Sequence, residues 1–96
     1  MLAEYLQKLI STGCDELEIE YRDGKECFTA FKSQLGVGIG SLNSDKANPI
    51  FTELAELGKT KRVTVGNQSY ALRLRQFEGF GETVYRIQMK AIQSSK

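Results

Sequence analysis

In "ELEIEYRDGKECFTAF", residues 16 to 31, Leu17, Ile19 and Tyr21 alternate with Glu16, Glu18 and Glu20. A period of two belongs to a strand with one face in a core and the other in water. Asp23-Gly24 interrupts the run with a strong hairpin signal, because glycine accepts a positive φ at little cost. A second strand is expected from roughly Lys25 to Lys32. A hairpin of this kind commits the chain to a sheet with one apolar face, and that face must be covered.

Two segments have the period needed to cover it. Leu2, Leu6, Leu9 and Ile10 recur at helical spacing with Tyr5 at the stripe edge, and Gly13 stands where a left-handed C-terminal cap is wanted. The second helix is read in "NSDKANPIFTELAELGK". Asn48 is its expected N-cap with Pro49 at the first helical position, and Ser44 competes as an earlier cap. Ile50, Phe51, Leu54 and Leu57 form its apolar side, and Gly58 is expected to end it. Beyond it, Val63 and Val65 lead into Gly66-Asn67. Tyr70, Leu72 and Leu74 then alternate with Arg73 and Arg75. After "EGFGE", a last strand is predicted over about Glu82 to Ile92.

Between the helices lies "SQLGVGIGSLNS". Gly36, Gly38 and Gly40 invite comparison with a phosphate loop, but the spacing matches neither G-x-G-x-x-G nor G-x-x-x-x-G-K-[ST]. Period two instead predicts a third strand, with Leu35, Val37 and Ile39 entering the core and the glycines forming a bare face. "KSQ" before it is a turn or a bulge. An irregular loop is the remaining alternative.

These elements predict an α+β fold of order α-β-β-β-α-β-β-β, a six-stranded, mainly antiparallel sheet with two helices on one face. Ninety-six residues suffice for one domain, placed at 1–92, with 93–96 as a frayed tail. The halves repeat in topology without residue-level identity, so duplication is left open.

Charge is sharply divided along the chain. Residues 1–57 hold ten acidic and five basic side chains, and residues 58–96 hold two acidic and eight basic, within a total of +1. If the outward strand positions share one solvent face, Glu16, Glu18 and Glu20 line one strand and Arg73, Arg75, Arg86 and Lys90 line others. Cross-strand pairing and solubility are the plainer explanation. A recognition surface is the functional one, with Phe77 sharing the parity of Arg73 and Arg75. Phe80, between two glycines, is a candidate anchor at a loop tip or a ring folded back on the core edge. The expected contact set is therefore Arg73, Arg75, Phe77, Phe80, Arg86 and Lys90. Its expected partner is a protein, with a second copy of the chain as one form. Nucleic-acid binding is the alternative, disfavoured by near-zero net charge and by acidic strands that would repel a backbone.

Catalysis is not expected. The chain has no histidine, so Ser41, Ser44, Cys14 and Cys27 have no imidazole to activate them. Two thiols cannot complete a zinc site, and both read as structural. No metal or cofactor is expected. Glu4 and Lys8 break the apolar run that a signal peptide needs, and no window has the length of a membrane span, so a cytoplasmic location is expected.

The run "LISTGCDELEIE" resembles the amino-terminal domains of type II secretion and type IV pilus assembly ATPases, where a helix ends in a G-A-S-D-[IL]-H-[IL] motif that enters a strand. Gly13, Cys14, Asp15, Glu16, Leu17, Glu18 and Ile19 occupy that pattern. "YALRLRQFEGFGETVYRIQ" is similar to the closing strand–loop–strand of the same domain, with Gly81-Glu82, Val84 and Arg86-Ile87 as the matching points. The likeness spans about residues 3 to 90. It departs where Glu18 replaces the motif histidine and Glu16 its aspartate, and no phosphate-binding loop or motor domain is present. The resemblance implies assembly or regulation through protein contacts rather than hydrolysis.

Overall fold

The computed structural model describes residues 2–56, 61–79 and 82–92, without the side chains of 61, 79 and 82. The elements are α1 (Leu2–Ser11), β1 (Glu16–Arg22), β2 (Lys25–Lys32), β3 (Leu35–Asn43), α2 (Ser44–Glu56), β4 (Lys61–Val65), β5 (Gln68–Gly79) and β6 (Glu82–Ala91). The six strands form one sheet in the order β3-β2-β1-β6-β5-β4, every neighbouring pair antiparallel. Hydrogen bonds therefore join the two halves of the chain through β1 and β6.

Local chemistry explains the turns. Asp23 and Gly24 both take positive φ, 53° and 81°, as a two-residue hairpin loop with the natural strand twist requires. Gly66 (φ 66°) opens the β4–β5 loop, and Ser33 (φ 57°) opens the Ser33-Gln34 turn between β2 and β3. Helix α1 closes as predicted. The Cys14 N–H donates to Leu9 O and the Gly13 N–H to Ile10 O, at 3.1 and 3.0 Å, with Gly13 at φ 75°. That pair of bonds satisfies carbonyls the helix end would otherwise leave open.

Both helices lie on one face. Leu6 and Leu9 of α1 and Ile50 and Leu54 of α2 are buried with Leu17, Ile19, Phe28, Ala30 and Ile87 in a single core. The Tyr5 ring stacks on Phe28 with centroids 4.0 Å apart, and Phe51 meets Tyr85 at 5.1 Å. Burial, and secondarily the Glu4 charge, raises the Tyr5 pKa above its ordinary value. Glu53 Oε2 accepts the Leu2 N–H at 2.9 Å, tying the start of α1 to α2. This layering bears on the repeated element order. Carrying β1, β2 and β3 onto β4, β5 and β6 requires a half-turn about an axis lying in the sheet across its strands. That rotation would move the helix to the opposite face, so the two halves are not superposable repeats.

Two expectations are corrected. Helix α2 begins at Ser44, not at Pro49, because the Asn43 Oδ1 accepts the Lys46 N–H at 3.0 Å and caps the helix directly off β3. Ala47 thereby joins Ile50 and Leu54 on the buried stripe, and Pro49 lies inside the helix. Leu57 and Gly58 lie outside the described residues.

The second correction concerns β3. It is an edge strand, and its register shifts opposite Phe28 and Thr29. Phe28 pairs with Gly40 and Thr29 with Gly38, leaving Ile39 as the extra, bulged residue. The bulge switches the parity of the strand, so the three glycines do not share a face. Gly36 and Gly38 sit on the open side, whereas Gly40 lies under the Tyr5 ring. Leu35 and Val37 do not enter the core: they are 80% and 52% exposed at an end of the edge that the helices do not cover. Ile39 alone of the three packs against the core.

The glycines are thus distinguishable by experiment. A Cβ at Gly36 would come 2.6 Å from the Phe31 ring, whereas one at Gly38 meets nothing within 4 Å. Gly36→Val is expected to cost about 1–2 kcal/mol through overpacking. Gly38→Val is expected to leave stability unchanged or slightly raised, since a β-branched residue suits an exposed strand better than glycine. Urea denaturation of both variants checks this, and equal losses would contradict the bulged register.

Candidate interaction surface

Among the described residues, no other element covers the sheet face opposite the helices. Alternation along each strand and the register between strands place its side chains in level rows. One row runs Gly36, Phe31, Glu16, Gln88, Arg73 from β3 to β5, and the next runs Gly38, Thr29, Glu18, Arg86, Arg75. A third runs Ser41, Cys27, Glu20, Val84, Phe77. Beyond the first, Lys90, Ala71 and Arg62 align across β6, β5 and β4.

Arg86 is the organising residue of this face. Its Nε donates to Glu18 Oε2 at 3.1 Å and its Nη1 to Glu16 Oε2 at 3.5 Å. Its guanidinium lies 4.7 Å from the Phe31 ring centroid. The planar group can take two carboxylates at its rim and an aromatic ring on its face at once, which an ammonium cannot match. Gly36 makes room for that ring. Glu20 is hydrogen-bonded to Arg22, which raises the Arg22 pKa.

The predicted contact residues fall into four groups. Arg73, Arg75 and Lys90 are exposed on this face and form no ion pair with any described residue. Phe77, 44% exposed, stands beside buried Val84 at the far end of the β5 stripe. Arg86 is half-buried and already neutralised, so the structure makes it a scaffold for the face rather than a free cation. Phe80 lies outside the described residues. Arg62 was not among the predicted residues, yet it is exposed on the same face. Its parity opposite Val63 and Val65 in "KRVTV" carried that signal.

Arg75 and Arg86 stand directly opposite each other, a like-charge pair that opposes sheet stability. With Arg73, Glu16 and Gln88 they line a depression of about 90 Å³. Its lining is basic apart from the Glu16 carboxylate and the Gln88 amide. Among the described residues no three acidic or cysteine side chains cluster to hold a metal ion, both cysteines are free thiols, and no helix is long and apolar enough to cross a membrane. No family model matches the chain, and no curated protein matches it.

Proposed function

We propose that the chain is a non-catalytic protein-interaction module that contacts carboxylate-bearing partners through its open sheet face. The observation that carries this reading is the inequality of its cations. Arg86 is consumed by Glu16 and Glu18, whereas Arg73, Arg75 and Lys90 remain exposed and unmatched, with Phe77 as an adjoining aromatic. Exposed arginines beside an aromatic ring are the composition that protein interfaces favour. The resemblance to secretion and pilus-assembly ATPase amino-terminal domains, carried by Gly13 to Ile19, accords with a role in assembly.

Nucleic-acid binding is the second reading, favoured by the same arginine–aromatic stripe. Against it stands the near-zero net charge of the chain, +1, which gives little of the long-range attraction that a phosphate backbone demands. Fluorescence anisotropy separates the two. A labelled peptide with glutamates at alternate positions is expected to bind at low salt, and Arg73→Glu with Arg75→Glu is expected to weaken it at least tenfold. Undiminished binding by that variant would show that the face is not the contact surface. Tighter binding of a labelled oligo(dT), falling steeply with salt, would transfer the assignment to nucleic acid.

A further inference from the structure

The open face carries its own complement. Glu16 and Glu18 repeat every second residue on β1, Arg73 and Arg75 do so on β5, and β6 lies midway between them. Residues two apart on a strand are about 6.6–6.8 Å apart, so the acidic and basic stripes share one spacing. The register also keeps them level, with Glu16 in the row of Arg73 and Glu18 in the row of Arg75.

Resting on the reading of this face as the contact surface, we propose that its occupant is a second copy of the chain, stacked face to face. A twofold axis parallel to the strands and lying over β6 preserves every row and exchanges the stripes. It brings Glu16 of one copy over Arg73 of the other, and Glu18 over Arg75. Aligned sheets pack about 10 Å apart with strands within about 30°, a gap that a glutamate and an arginine reaching towards each other can span. Because the contact is isologous, each pair forms twice. Arg86 and Lys90, both on β6, fall on the axis: the Arg86 charge is met inside its own copy, whereas the two Lys90 ammoniums oppose each other and subtract from the association. Each of the two glutamates that bind Arg86 uses Oε2 for that bond, which leaves the other carboxylate oxygen for the second copy. The rival contact is the edge of β3, which carries no charged residue. Its bulge and the Lys8 Nζ bonded to Ile39 O at 3.4 Å blunt it as a pairing template.

Sedimentation equilibrium of the full chain tests the proposal. Association is expected at low salt and should weaken at least tenfold at 0.5 M NaCl, as contacts between partly exposed charges require. Arg73→Glu with Arg75→Glu, and separately Glu16→Gln with Glu18→Gln, should each be monomeric, with circular dichroism confirming that both fold. Mixing the two variants should restore part of the association, since one supplies the acidic stripe and the other the basic stripe. A wild-type chain that stays monomeric at low salt overturns the proposal. If that monomer still binds the alternating-glutamate peptide, the contact surface stands and only its occupant was misassigned; if it does not, both fall. Association that survives the arginine reversal but is lost in Val37→Lys places the contact on the β3 edge and overturns the proposal as well.

Discussion

Phe28→Ala is expected to lose about 3–5 kcal/mol of folding stability. Phe28 is among the largest fully buried side chains, it sits on β2 opposite Ile19, and the Tyr5 ring of α1 stacks directly on it. Removing the ring forfeits its own burial and leaves a cavity that three elements border. Tyr5 cannot simply drop into the space, because the same ring covers Gly40 on β3. A domain of this length has about 5–14 kcal/mol of stability in total, so the substitution removes a large part of it. Urea denaturation measures the loss. A cost below about 1 kcal/mol would mean that Phe28 does not join the helix layer to the sheet.

Arg86→Ala is expected to cost about 1–2 kcal/mol, more than an exposed ion pair normally contributes. The reason is what it leaves behind. Glu16 and Glu18, with side chains 25% and 17% exposed, would stand side by side without their countercharge, and Phe31 would lose its cation. Arg86→Lys should recover only part of the loss, since an ammonium cannot both bridge two carboxylates and lie flat on a ring. A double-mutant cycle with Glu18→Gln should give a coupling of about 0.5–1 kcal/mol that shrinks in high salt. A coupling of zero would mean that Arg86 stabilises the face only by its packing on Phe31.

The open sheet face was partly legible in the sequence. Parity alone places Arg73, Arg75 and Phe77 on one side of β5, and Arg86 and Lys90 on one side of β6. Parity does not say which cations are already taken. Arg86 pairs with Glu16 and Glu18, some 70 residues away, only because β6 adds to β1 and not to another edge. Strand order therefore divides one list of basic residues into a neutralised scaffold and an open stripe.

By itself, the amino-acid sequence determined the elements and most of their ends. Hydrophobic period separates helix from strand, Asp23-Gly24 and Gly66 mark two hairpins, and Gly13 closes the first helix. All of these are interactions within a few residues. The tertiary structure decided the rest. It set β3 and β4 at the edges, and it bulged β3 at Ile39 so that Gly40 admits Tyr5. It also left Leu35 and Val37 outside the core and let Asn43 start α2 five residues ahead of Pro49. Each of these depends on which distant strand or ring lies alongside, and an alternating pattern reads the same whichever neighbour it meets.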